Sequence, residues 1–148
     1  MMPVLPPLFV IICVTLFLCA CTAIDLKRKE VSLEGALALV IVQSVYQLTT
    51  HYTDWMTLLL GFTVAFIPYF LMAAVGNGGA GDAVVMGAVG YCIGSSLSVF
   101  FCFVASVLYL IVIGLAGLKT KNWKIQLPFV PFALGAWGVT LLACLLVK

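Results

Sequence analysis

The sequence predicts an all-α fold spanning a membrane, with about six transmembrane helices of which the fourth is short. Three observations predict it. Of the 148 residues, 65% are hydrophobic and only 8% are charged, against about 25% charged in soluble domains. The mean hydropathy is +1.28. The apolar residues also fall into long runs between short polar breaks, and about 20 such residues carry a helix across a hydrocarbon core of about 30 Å. A chain of this length then has room for its spans and for no separate soluble domain, so residues 1–148 are expected to form a single transmembrane domain.

Each span follows from the runs. Residues 4–24 form the first; the run lacks a basic start and is too long for a signal-peptide core, so it stays as a permanent helix. Residues 32–50 and 55–75 form the second and third. The stretch 83–117 is continuously apolar and too long for one crossing at about 1.5 Å per residue. Gly94-Ser95-Ser96 is the place for it to turn, giving spans at 83–95 and 96–117. The first of these is rich in glycine and alanine, which suits close helix packing better than lipid contact. Residues 128–147 form the last span.

The basic residues fix the orientation. Lys27, Arg28 and Lys29 follow the first span, and Lys119, Lys121 and Lys124 follow the fifth. With six spans both groups fall on one side, which the positive-inside rule makes the cytoplasm. Both termini then face outward, and only Lys148 breaks the asymmetry. A single span over 83–117 would instead put the two groups on opposite sides. The net charge of +2 is explained by this topology, and no nucleic-acid partner is expected.

The six cysteines, Cys13, Cys19, Cys21, Cys92, Cys102 and Cys144, all lie in apolar runs without a CxxC pair or a nearby histidine. They are expected to be small packing residues, and neither a disulfide framework nor a metal site or cofactor is expected. Phe100, Phe101, Phe103 and Tyr109 are expected as lipid or helix contacts. Of Trp55, Trp123 and Trp137, two lie near span boundaries, as in an interfacial belt.

The acids carry the chemistry. Asp54 belongs to a short external loop with His51 and Tyr52, while Glu30 and Glu34 start the second span, where the helix dipole offsets their repulsion. Asp25 and Asp82 differ: one ends the first span, and the other begins the fourth after a glycine cluster. An ionisable group at membrane depth is costly and points to function. The alternatives are a helix N-cap for Asp82 and an ion pair with Lys27, Arg28 or Lys29 for Asp25. Both acids fall on the same face of the membrane. Two carboxyls brought together share a proton, so that one can activate water while the other donates to a substrate carbonyl. Helix ends suggest that Asp82, at an N-terminus, favours the anion and Asp25, at a C-terminus, the acid; the cations after Asp25 oppose this.

Gly78, Gly79 and Gly81 would let an extended substrate backbone approach Asp82 with no side chain in the way, or serve as a plain turn. Gly76, Gly78 and Gly81 also spell GxGxxG, but that pattern binds a dinucleotide only after a strand and within a βαβ unit, and here it follows a membrane span.

Gly79-Ala80-Gly81-Asp82, Asp25 before its basic loop, and "PFVPFALGA" at residues 128–136 together resemble the type IV prepilin peptidases, which are GxGD-type intramembrane aspartic proteases. The resemblance implies that Asp25 and Asp82 are the catalytic pair, that Gly79 and Gly81 form the active-site loop, and that Pro128 and Pro131 help to position substrate; for the prolines, a role in starting the last helix is the simpler alternative. It implies cleavage of the short, positively charged leader of prepilins or pseudopilins, typically after a glycine, at the cytoplasmic face of a bacterial inner membrane. It also implies lateral access for the substrate's hydrophobic helix. Val84 stands where the family often has lysine, Ser32-Leu33 where it often has Pro-Asn, and Val130 where glycine is common. The chain is similar to the short, peptidase-only form serving Tad-type pili. Other classes remain open from the residues: a small proton-coupled transporter using the two acids as a relay, or an inactive assembly factor that binds pilins. Neither the particular pilin nor the oligomeric state is legible.

Overall fold

A computed structural model of the chain describes residues 6–28, 33–75, 79–120 and 128–146. The described residues are helical and include no strand: α1 is Leu8–Arg28, α2 Leu33–Thr50, α3 Trp55–Ala74, α4 Ala80–Thr120 and α5 Val130–Leu146. The GxGxxG pattern therefore lacks the sheet it would need; Gly76 and Gly78 lie outside the described residues, as do Lys29, Glu30, Ser32, Lys121, Trp123, Lys124 and Lys148.

α4 is not one straight rod. Gly94 has φ 76° and ψ 170°, a conformation that only glycine adopts without strain. The break frees carbonyl groups, and Ser98 Oγ donates to two of them, Gly94 O at 2.7 Å and Gly90 O at 3.2 Å. The chain then doubles back. Asp82 and Tyr109 line one cleft, whereas a straight helix would hold them about 40 Å apart. The arms 80–93 and 95–120 run antiparallel against α3, which makes its most extensive contact with α4. On the first arm Gly90 meets Gly61 backbone to backbone; on the second, the Tyr69 hydroxyl donates to Cys102 O at 3.2 Å and pairs with Ser106 Oγ at 2.9 Å. The turn thus falls within the Gly94-Ser95-Ser96 stretch, and the first arm is short, as the sequence predicts.

Small residues make this packing possible. A Cβ on Gly90 would stand 2.6 Å from the Cβ of Ala65, and one on Gly87 would stand 2.9 Å from the Phe62 ring. Helices that lack side chains at the contact approach closely enough for backbone to touch backbone, the usual solution where lipid removes the hydrophobic drive between helices.

α5 closes the bundle against α1 and α4. Trp137, fully buried, donates from Nε1 to Thr15 Oγ1 at 2.9 Å and meets Phe101 edge-on at 6.4 Å. Trp137 is therefore a core residue and no part of an interfacial belt. α2 is tied in by polar groups at the end of the bundle away from Asp82. Gln43 Nε2 donates to the Tyr52 hydroxyl at 3.1 Å, which donates to Cys92 O at 2.8 Å, and Ser44 Oγ pairs with the Tyr91 hydroxyl at 3.0 Å. Buried glutamines at this depth need such partners, because an unmade bond there costs about 1–3 kcal/mol.

The outside of the bundle is as apolar as the inside, with Leu16, Met56, Leu110 and Leu142 among many exposed large side chains. Three helices are long and apolar enough to cross a membrane, over Leu8–Lys27, Trp55–Ala74 and Ala80–Ala116, and Val130–Leu146 is apolar but shorter. All six cysteines are free; Cys21, Cys92 and Cys144 pack inside as expected, but Cys19 is exposed on α1.

Candidate active site

Asp25 sits in the last full turn of α1, and the helix runs on through Arg28, so the acid lies within the helix and not beyond its end. It is 6% exposed. What holds it there comes from the other end of the chain. α5 begins at Val130, and its first backbone N–H groups have no partner within the helix. Phe132 N and Ala133 N donate to Phe129 O at 2.9 and 3.3 Å. Pro131 has no N–H to satisfy, which is why proline suits this position. The amide of Val130 remains, and it donates to Asp25 Oδ2 at 3.2 Å. Asp25 thus faces the N-terminus of α5 as well as ending α1, so the helix-end argument no longer separates its role from that of Asp82.

Asp82 lies in the first turn of α4. Its amide donates to Gly79 O at 3.1 Å. It is therefore the third helical residue and not the N-cap, and its carboxyl accepts a backbone hydrogen bond from Gly79, at the position before the helix. Gly79 is exposed, and a Cβ there would stand 3.3 Å from Asp82 Oδ2. Glycine at this position leaves room for the carboxyl to come against the backbone of Gly79. Gly81 is half-buried beside it. Val130, which holds Asp25, adjoins Phe129, which shares a cleft with Asp82. The fold therefore puts the two acids that the sequence singles out at the same end of the bundle.

Asp82 opens onto a cleft of about 200 Å³. One wall is Pro68, Tyr69 and Met72 of α3; the other is Ser106, Tyr109 and Leu110 from the returning arm of α4, with Phe129 between them. Phe129 packs against the rings of Tyr69 at 5.0 Å and Tyr109 at 5.3 Å. Its neighbour Val130 supplies the amide on Asp25, so a single step of the chain links the cleft wall to the second acid. Pro128 and Pro131 flank this step but do not line the cleft; their position supports the backbone reading of the prolines. Val84 packs against the core.

Tyr69, Ser106, Tyr109 and Phe129 were not expected at the site. In sequence they are ordinary members of apolar runs, and only the reversal at Gly94 delivers Ser106 and Tyr109 to Asp82. Among the described residues, no cluster of three or more histidine, cysteine, aspartate or glutamate side chains could hold a metal ion.

A helical bundle with an apolar exterior, and with two acids at one end beside an apolar cleft, defines a membrane protein with hydrolytic potential at a helix-end site. The chain belongs to the type IV leader peptidase family, whose family model matches residues 12–114. That span includes both aspartates and both walls of the cleft except Phe129. The family makes this a protease of the leader-peptidase kind. No curated protein and no solved structure matches the chain.

Proposed function

We propose that this protein is an aspartic endopeptidase of the bacterial inner membrane that removes the leader of type IV prepilins or pseudopilins at the cytoplasmic face. Asp25 and Asp82 are its catalytic pair. The observation that supports the reading is their placement: in a member of the leader peptidase family, adjacent residues Phe129 and Val130 link the cleft of Asp82 to the amide on Asp25.

In this mechanism the two carboxyls hold one proton between them, as in other aspartic dyads. The ionised member takes a proton from water as the water oxygen attacks the scissile carbonyl carbon, and the protonated member gives its proton to the carbonyl oxygen. The gem-diol intermediate collapses when the protonated carboxyl gives its proton to the leaving nitrogen while the carboxylate takes one from a gem-diol hydroxyl; the C–N bond breaks, a carboxylic acid and an amine leave, and the pair again holds one proton. No further reactant is needed. The substrate must present an unwound peptide, because a peptide bond inside a helix is masked by its own hydrogen bonds. The lack of side chains at the exposed Gly79 and at Gly81 suits such a backbone, and a hydrophobic substrate helix would lie in lipid beside the bundle. The reading takes six crossings, with α4 making two; the positive-inside rule then assigns Lys27, Arg28 and Lys119, and the acids with them, to the cytoplasmic side.

The test is co-expression with a reporter carrying a basic leader, a glycine and a hydrophobic helix, with leader loss followed by gel shift. Wild type is expected to cut, and Asp25→Asn and Asp82→Asn are expected not to. Cleavage surviving in both well-expressed variants would overturn the assignment, and its loss in both excludes a proton-coupled transporter.

A further inference from the structure

The cleft carries four polar side chains, and three are accounted for. Asp82 belongs to the proposed catalytic pair; the Tyr69 hydroxyl and Ser106 Oγ are bonded to each other, and Tyr69 also bonds to Cys102 O. The fourth is Tyr109. Its ring is gripped edge-on by Phe129 at 5.3 Å and Phe132 at 5.5 Å, so its direction is fixed by packing. Its hydroxyl, like that of Tyr46 away from the cleft, makes no hydrogen bond among the described residues, whereas those of Tyr52, Tyr69 and Tyr91 are bonded. A rigid phenol with an uncommitted donor, lining the same apolar cleft as the Asp82 carboxyl, is arranged to bind something that arrives from outside.

We propose that Tyr109 is a substrate-positioning residue, whose hydroxyl donates a hydrogen bond to a backbone carbonyl of the bound peptide beside the scissile bond. The proposal rests on the peptidase reading above. A carbonyl is the acceptor an extended peptide always offers, whatever its side chains, and the apolar walls favour a hydrogen bond there by excluding competing water. The bond forms on binding and persists through the reaction, so it contributes equally to ground and transition states and shows in KM more than in kcat. Asp25 and Asp82 alone fix the reacting carbonyl from one side; a third contact from the returning arm of α4 fixes the orientation of the strand.

Tyr109→Phe keeps the ring contacts and removes only the donor. In the leader-cleavage assay it is expected to raise KM about three- to ten-fold, the range of one net hydrogen bond, with kcat changed less than two-fold. Tyr109→Leu, which also loses the ring packing, is expected to lose stability in thermal unfolding, whereas Tyr109→Phe is not. A second measurement avoids turnover: binding of the uncut reporter to Asp82→Asn should weaken by the same factor when Tyr109→Phe is added. A wild type that cuts, with Tyr109→Phe unchanged in both KM and binding, would overturn the role of the phenol and leave the peptidase reading intact. A wild type that fails to cut the reporter would sink that reading, and this proposal with it.

Discussion

The contact between α3 and the first arm of α4 gives the sharpest test of how the site is held. A methyl group placed on Gly61 would overlap the carbonyl oxygen of Gly90 and stand 2.8 Å from the carbonyl carbon and 3.0 Å from the Cα of Gly94. Carbon atoms settle at about 3.5–4.0 Å, so Gly61→Ala is short of space by about 1 Å. The atoms it meets are backbone and cannot rotate away; the helices must part. Overpacking costs about 1–3 kcal/mol, and a clash with backbone belongs at the upper end. Alanine returns about 1 kcal/mol through its higher helix propensity, leaving a net loss of about 2 kcal/mol, or roughly 30-fold in the folded population. The first arm also carries Asp82, and a shift of about 1 Å at a reacting group costs about 100-fold in rate. Thermal unfolding in detergent, read by tryptophan fluorescence, measures the first effect and leader cleavage the second. Gly138→Ala is the control: nothing lies within 4 Å of a Cβ there, so it should be neutral or gain up to about 1 kcal/mol. If Gly61→Ala proved as stable as Gly138→Ala, the close backbone approach would not exist as described.

Three further outcomes follow from the packing. Gly94→Ala forces a side chain into φ 76° and should cost about 1–3 kcal/mol, with cleavage falling because the returning arm no longer meets Asp82; thermal unfolding and the gel-shift assay together check this. Tyr52→Phe leaves Gln43 Nε2 and Cys92 O without their bonds and should lower stability by about 1–3 kcal/mol, while the kcat of the folded fraction stays unchanged, since Tyr52 lies at the far end of the bundle. Trp137→Phe removes the bond to Thr15 and leaves a void between α1, α4 and α5, for about 2–3 kcal/mol in the same unfolding measurement.

Much of this architecture is legible in the chain itself, because lipid leaves the backbone few options. Apolar run length sets the helices, and the stretch 83–117, too long for one crossing, announces its own turn at the glycine and serines. Asp25 and Asp82 stand out because a carboxyl at membrane depth is costly, and the bland readings of each alone, a helix cap and an ion pair, weaken when both fall on one face. The rest of the site carries no such mark. Tyr109 and Phe129 look like any aromatics in an apolar run, and their meeting depends on which faces of the two arms of α4 turn toward α3. The group that holds Asp25 is the amide of Val130, and a backbone N–H has no letter in the sequence. The proline after it hints at a helix start and says nothing about what the preceding amide will face. Helix-end reasoning assigns Asp25 to the C-terminus of its own helix and is blind to a second helix arriving from elsewhere.

The hydrogen bond between Val130 and Asp25 joins residues 105 positions apart, and that separation orders events in time. As the ribosome releases the polypeptide, Asp25 emerges long before the amide that secures it. At about 5–20 residues per second the wait is roughly 5–20 s. During that interval the nascent protein can insert most of its helices with the acid still unanchored. The arrival of α5 therefore anchors Asp25, and a truncated translation product lacking that helix would reach the bilayer with the buried acid unheld.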